Sequence, residues 1–191
     1  MPFRDPLAAV REKFPFLTDD DVGEVLGICS TREIGANEYF LRAGKVEMRG
    51  AIVLHGLMRN FHTLPDGTER TVLFIPELRT IAPYATLFSG LPATESTMTM
   101  EDTVLLEIDL RALRRQIDQN PRLMRAYTSA VELALTDTIS RIDQFILLTA
   151  EERYNRFVRE NPGLSQRIPL KHLASYLGIT PVSLSRIRAR G

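Results

Sequence analysis

Three successive rhythms of apolar positions divide the chain. Through the first thirty residues Leu7, Val10, Phe14, Val22, Val25, Leu26 and Ile28 recur at helical spacing. Pro15 and the acidic run Thr18-Asp19-Asp20-Asp21 split them into two short helices, with Thr18 or Asp19 as the N-cap of the second. From about Ser30 to Asp109 the period shortens. Strand-like runs are expected at Thr31–Ile34, Tyr39–Leu41, Ala51–His55, Gly56–Thr63, Glu69–Ile75, Ser96–Met100 and Thr103–Ile108, separated by Gly, Pro and Asn-Glu punctuation. That spacing belongs to an all-β sandwich or barrel. Leu64-Pro65-Asp66-Gly67-Thr68 is a reversal in which Asp-Gly can take the positive φ of a hairpin connection.

After Asp109 the pattern is helical again. Leu110, Leu113 and Ile117 mark a short helix, Asn120-Pro121 punctuates, and one amphipathic segment runs from Arg122 to about Thr149. Its apolar positions, Leu123, Tyr127, Val131 or Ala130, Ala134, Thr138 or Leu135, Ile142 and Phe145, recur near every 3.5 residues. So long a helix without Gly or Pro exceeds the usual globular length, which favours a dimer seam over a core-packed helix. Glu151–Glu160 is a further helix with Arg153, Arg156 and Arg159 on one face, ended by Asn161-Pro162-Gly163.

The final pattern is the most specific. Pro169 suits the first turn of a helix, and Leu170, Leu173, Ala174 and Leu177 share its inner face. Gly178 supplies a tight turn, Thr180 an N-cap and Pro181 the first position of a second helix. Leu184 and Ile187 are the apolar side of that helix, and Ser183, Ser185, Arg186 and Arg188 its polar side. Ala174 stands where two helices cross, with Leu173, Leu177, Ile179, Leu184 and Ile187 closing a small core around it. The unit reads as a helix-turn-helix, and double-stranded DNA is the partner it predicts.

Charge strengthens this reading. The 191 residues carry 24 Lys+Arg and 24 Asp+Glu, but the zero is a cancellation: residues 1–150 hold 16 basic against 21 acidic groups, and residues 151–191 hold 8 against 3. An acidic body with a basic end fits contact with a polyanion at that end. The composition, 44% hydrophobic and 25% charged, is that of a soluble globular protein. With no run of 18 apolar residues and no basic-then-apolar leader at Met1-Pro2-Phe3-Arg4-Asp5, the expectation is a cytoplasmic protein without membrane attachment. The lone Cys29 excludes an internal disulfide and is read as a small buried apolar residue. His55 and His62 should face opposite sides of a sheet, so no metal or other cofactor is expected. Acid pairs such as Glu101-Asp102 and Glu151-Glu152 suit turns and N-caps, no nucleophile–base pairing or phosphate loop is evident, and no catalytic residue is assigned.

A β-roll, a long helix and a helix-turn-helix in this order resemble the cyclic-AMP receptor protein/Fnr (Crp/Fnr) family of bacterial transcription regulators. The resemblance spans nearly the whole chain. It is carried by Gly44 after Tyr39-Phe40-Leu41-Arg42, by Gly56-Leu57-Met58-Arg59 before the Asp66-Gly67 hairpin, by Glu101–Asp109, and above all by Ala174-Ser175-Tyr176-Leu177-Gly178-Ile179-Thr180-Pro181, which is similar to a short Bacteroidetes-type subgroup. It implies an α+β chain: a cyclic-nucleotide-binding-like sensor β-roll (double-stranded jelly roll) with N-terminal helices over residues 1–119, a dimerisation helix over 120–149 and a DNA-binding helix-turn-helix over 150–191. It further implies a homodimer reading a near-palindromic operator, with an unidentified small-molecule effector and RNA polymerase as further partners.

On that resemblance Pro181, Val182 and Arg186 fall where the family reads bases, Arg186 suited to guanine and Val182 to a thymine methyl. Lys171, His172, Thr180, Ser183 and Ser185 are expected to hold phosphates, with Arg188 and Arg190 adding charge. The sensor departs from the pattern. Nucleotide-binding members carry Gly-Glu and, some ten residues on, Arg-Ser/Thr-Ala for the ribose and the cyclic phosphate. Here Glu77 follows Pro76, and Thr94-Glu95-Ser96 offers no arginine, so a phosphate would meet a carboxylate. Glu77, Arg79, Thr94, Glu95 and Ser96 remain the ligand-site candidates, and no response to cyclic AMP is expected. The alternatives are a metabolite sensor or a protein-interaction module with weak or lost DNA binding.

Overall fold

The structure is a computed structural model that describes residues 3–189. Nine helices and eight strands follow in chain order among the described residues: α1 (Pro6–Lys13), α2 (Asp19–Leu26), β1 (Cys29–Ile34), β2 (Tyr39–Leu41), β3 (Arg49–His55), β4 (Met58–Thr63), β5 (Glu69–Ile75), β6 (Thr80–Ile81), α3 (Tyr84–Ser89), β7 (Ser96–Thr99), β8 (Thr103–Asp109), α4 (Leu110–Ile117), α5 (Pro121–Leu147), α6 (Ala150–Glu160), α7 (Leu164–Arg167), α8 (Leu170–Leu177) and α9 (Pro181–Arg188). The strands form two four-stranded sheets, in the orders β1-β8-β3-β6 and β2-β7-β4-β5. This is the β-roll that the resemblance implies.

Close contacts divide the chain into two compact units, residues 1–60 with 74–131 and residues 61–73 with 132–191. The long helix is thus shared between the two units, and the tip of the β4–β5 hairpin groups with the C-terminal helices. In the first unit β8 lies between β1 and β3, with Cys29 opposite Ile108 and Ala51 opposite Glu107. Ile52, Leu54 and Leu106 of this sheet bury one face against Ala9, Val10 and Val22 of α1 and α2, and Cys29 packs at the margin of that cluster. Burial pushes the Cys29 thiol up to about 12, which suits its reading as an apolar residue.

Local chemistry explains the helix ends. Thr18 caps α2 and forms a capping box with Asp21, as Thr149 does for α6 with Glu152. Asp21, buried on the sheet side, also accepts hydrogen bonds from Arg122 and Asn120 at the start of α5, 2.7 Å from the Asn120 amide. One carboxylate therefore closes its own helix and ties it to a helix a hundred residues later. The hairpin turn forms as its sequence requires: Gly67 has φ 81°, its N–H donates to the Leu64 carbonyl, and the Thr68 N–H donates to the Asp66 carboxylate.

Differences from the sequence-based elements are small but instructive. Gly56 has φ 101° and belongs to the β3–β4 turn, so β4 starts at Met58 rather than Gly56. Pro169 is the residue before the first turn of α8, at its N-cap. The short elements β6, α3 and α7 carry no periodic signal and were not expected. Along α5, Leu123 is buried, and Leu123 and Tyr127 line the interior of the first unit. The exposed apolar stripe is instead Leu135, Ile139, Ile142 and Ile146, at steps of four, three and four residues. It shares with the expected seam only Ile142 and the alternative position Leu135. Phe145, 44% exposed, has in addition a contact with the end of α8, described below.

Candidate nucleic-acid interface

The helix-turn-helix is built around a dry seam. Leu173, Ala174, Leu177 and Leu184 are each fully buried, which is why a methyl group and nothing larger stands at 174. The chain leaves α8 through Gly178 at φ 70°, with its N–H donated to the Ser175 carbonyl and that of Ile179 to the Ala174 carbonyl, a Schellman closure. Glycine is required twice over: besides the positive φ, a Cβ would stand 2.7 Å from Cε1 of Phe145. Thr180 then caps α9, its hydroxyl accepting from the Ser183 N–H at 3.1 Å, and Pro181 opens the helix.

Two arginines hold the end of α8 from outside the motif. Arg153 of α6, itself buried, donates from Nε and Nη2 to the Leu177 carbonyl at 3.2 and 3.0 Å, and from Nη1 to the Leu148 carbonyl. Arg141 of α5 donates to the Tyr176 carbonyl and lies over the Tyr176 ring, 3.5 Å from its centroid. Both guanidiniums also flank the Phe145 ring, at 4.6 and 4.7 Å. Cations thus meet the carbonyl-rich end of α8, where the helix dipole and the unpaired carbonyls favour them. Burial lowers the Arg141 pKa from its ordinary value, and the adjoining Tyr176 side chain opposes that shift.

The sequence candidates separate into distinct positions. Val182, Ser185 and Arg186 lie on the exposed face of α9 at three- and four-residue spacing, and Val182 is 61% exposed. Arg188 is exposed but leans back, over the Tyr154 ring and within 3.5 Å of the Ser165 carbonyl. Ser183 is half-buried against the cap. Lys171, His172, Thr180 and Pro181 line one cleft together with Gly67, Thr68, Glu69 and Arg70 of the hairpin tip. From residue 161 onward the chain holds Arg167, Lys171, Arg186, Arg188 and Arg190 and no acidic residue. Arg190 lies outside the described residues.

Sequence reasoning placed the hairpin but not its contact with α8. The Ser175 hydroxyl accepts the Thr71 N–H at 3.0 Å and donates to the Glu69 carbonyl at 3.2 Å. Ser175 therefore occupies a donor and an acceptor on the strand that follows the Asp66-Gly67 turn. No local signal announces a contact across a hundred residues. Arg153 went unassigned for the same reason: its spacing with Arg156 and Arg159 says only that the three share a face, yet its partners are the Leu148 carbonyl and the Leu177 carbonyl at the end of α8.

The ligand candidates all stand in the β-roll. The Glu77 carboxylate accepts the Gly56 N–H at 3.0 Å, at the β3–β4 turn. Arg79 lies in the β5–β6 turn, its carbonyl accepting from the Val53 N–H. Glu95 accepts from the Asn60 amide at 3.1 Å, the Ser96 hydroxyl accepts from the Ala43 N–H, and Thr94 precedes them. Among the described residues no group of His, Cys, Asp and Glu is arranged to hold a metal ion, and no helix is long and apolar enough to cross a membrane.

Residues 31–120 match the family model of the cyclic nucleotide-binding domain. That stretch, just under half of the chain, covers most of the β-roll, which is therefore similar to a cyclic nucleotide-binding domain. Over most of its length the chain shares its fold with several solved regulators. FixK2 from Bradyrhizobium japonicum superposes with a TM-score of 0.77 at 16% identity, over 85% of this chain and 84% of that one. CLP, the c-di-GMP-responsive global regulator of Xanthomonas campestris, gives 0.72 at 15% identity, over 88% and 89%. The Thermus thermophilus catabolite activator protein gives 0.59 at 21% identity, over 97% and 86%. Likenesses at such identities speak for the fold alone. No curated protein matches the sequence. Within the matched stretch the segment Thr94-Glu95-Ser96 carries a carboxylate that accepts from the Asn60 amide.

Proposed function

We propose that the chain is a homodimeric, sequence-specific DNA-binding transcription regulator of the Crp/Fnr type, non-enzymatic, cytoplasmic and unresponsive to cyclic AMP. The observation that carries the DNA reading is the exposed face of α9. An apolar contact (Val182), a small hydroxyl (Ser185) and a guanidinium (Arg186) stand side by side there on a capped helix, in a stretch without acidic residues. A guanidinium can take both acceptors of guanine and a valine can cover a thymine methyl, while Lys171, His172, Thr180 and Ser183 set register on phosphates. Arg188 adds charge from a position partly committed to the Ser165 carbonyl.

The 4-3-4 stripe Leu135, Ile139, Ile142 and Ile146 supports the dimer. Four large aliphatic side chains on one helix face gain little from water and much from a second copy. A two-fold dimer calls for a near-palindromic operator. Insensitivity to cyclic AMP is supported by Glu95, which places a negative charge where a cyclic phosphate would need a positive one. Fluorescence anisotropy on labelled DNA across a salt series tests the reading. Binding should weaken steeply as salt rises, and cyclic AMP should leave it unchanged.

A further inference from the structure

The hairpin between β4 and β5 closes on the helix-turn-helix within the second compact unit. The Ser175 hydroxyl joins the two, accepting the Thr71 N–H at 3.0 Å and donating to the Glu69 carbonyl at 3.2 Å. Those bonds bracket Arg70, so its backbone is held against α8. On the other flank the turn is shut by the Gly67 N–H on the Leu64 carbonyl and the Thr68 N–H on the Asp66 carboxylate. Exposed loop tips are ordinarily the loose parts of a fold, but this one is tied on both sides of Arg70.

Between the hairpin and the helices lies a cleft of about 700 Å³, walled by Thr68, Arg70, Lys171, His172, Thr180 and Pro181 among others. Arg70 and Lys171 are exposed, and among the described residues no ion pair engages either side chain. Glu69 is the one carboxylate on the walls. Lys171 and His172 come from the first turn of α8 and Thr180 and Pro181 from the start of α9, so the positive ends of two helices meet at one space. Small-molecule pockets enclose an occupant in mostly apolar walls. Here charged and hydroxyl side chains stand on both walls, the cations are in solvent, and Thr180 and Pro181 lead straight into the exposed Val182 of the proposed base-reading face. An extended anion that runs on past α9 suits such a cleft, and the anion that α9 implies is the duplex backbone.

We propose that Arg70 is a DNA contact: beside Lys171 it takes a backbone phosphate of the duplex that α9 reads, with Ser175 as the positioning residue that holds the hairpin in place. The contact rests on the DNA reading of α9 and extends it, since the duplex is then held by the β4–β5 hairpin as well as by the helix-turn-helix. A guanidinium presents two parallel N–H donors to phosphate oxygens, which an ammonium cannot. Glu69 opposes any anion in the cleft, so these two neighbouring charges should act on DNA affinity with opposite sign.

The test is fluorescence anisotropy of the full chain on labelled DNA over a salt series, beginning with the parent. Arg70→Ala should weaken selected and random DNA alike, about three- to tenfold at physiological ionic strength, and flatten the salt dependence by about one counterion per subunit. Arg70→Lys should restore the slope. Glu69→Gln should tighten binding to both DNAs, an effect that mere disturbance of the hairpin would not produce. Ser175→Ala should weaken binding, and combined with Arg70→Ala should weaken it no further than Arg70→Ala alone, because the two residues act as one. A parent that binds DNA while Arg70→Ala matches it in affinity and slope would overturn the hairpin contact and leave the regulator reading standing. Weakening by Glu69→Gln equal to that by Arg70→Ala would overturn it too, reducing the hairpin to a structural prop. A parent that binds no DNA would overturn both readings.

Discussion

At the scale of single residues, the recognition helix gives the sharpest expectations. Arg186 is exposed with its neighbours Val182 and Ser185, so Arg186→Ala should cost about 1–3 kcal/mol on the preferred site and relax discrimination at one base pair. Lys171→Ala should weaken every DNA alike and flatten the salt dependence by about one counterion. Competition binding with single-base operator variants separates the two, and equal losses on specific and random DNA for Arg186→Ala would remove its base-reading role. Asp21 gives a second expectation. Hydrogen bonds from the Arg122 guanidinium first, then from Thr18 and Asn120, hold its carboxyl well below the usual range, against the opposing effect of burial. A depressed folded pKa means stability that is complete above the unfolded value of about 4 and is lost as pH falls toward the folded one. Asp21→Asn should therefore be less stable than the parent at neutral pH, and the gap should close below about pH 4. A gap that is constant with pH in urea melts would show that Asp21 acts through packing alone. What was legible at this scale were residues whose partners are near in sequence: the Thr180 cap, the Gly178 turn, the buried Ala174. Arg153 and Ser175 were not, because a side chain aimed at a carbonyl 24 residues away, or at a strand 104 residues away, leaves no spacing to read.

At the scale of elements, hydrophobic period located the long helix and the main strands, since each buries one face over several residues. It failed for β6, two residues long, and α7, four residues long, where no period fits. The long helix shows a subtler limit. Its apolar positions serve three purposes in turn: Leu123 and Ala126 pack the first unit, Leu135, Ile139, Ile142 and Ile146 form an outward stripe, and Phe145 seats Gly178. A single period averages these into one seam. The separation makes two predictions. The proposed dimer should appear in light scattering of the parent, and Ile139→Lys should give a monomer with circular dichroism unchanged; an intact dimer in the variant would place the subunit contact elsewhere. Gly178→Ala meets both a left-handed backbone and the Phe145 ring, and should cost about 2–3 kcal/mol in chemical denaturation. In a Phe145→Ala background the steric part disappears and the penalty should fall to about 1 kcal/mol, that of the backbone alone.

At the scale of the whole molecule, the division of charge visible in the sequence acquires a place. The basic excess lies in residues 151–191, which include the exposed Arg186, and several acidic residues of the rest serve caps and turns, as at Asp21, Asp66 and Asp109. The fold class was legible because two independent patterns, close-spaced strands and a helix-turn-helix, meet in one order known from a regulator family. The contacts of the sensor's acidic residues were not: the Glu77 carboxylate accepts the Gly56 N–H and that of Glu95 the Asn60 amide, partners 21 and 35 residues away that no spacing announces. The central claim remains sequence-specific DNA binding by a dimer. The most direct measurement is anisotropy of the purified chain on labelled DNA, comparing a site it selects from a random library with unselected DNA over a salt series. The account predicts an inverted-repeat site bound at least about a thousandfold more tightly, with affinity falling steeply as salt rises. A folded dimer that fails to bind either DNA at low salt, or binds both equally, would contradict it.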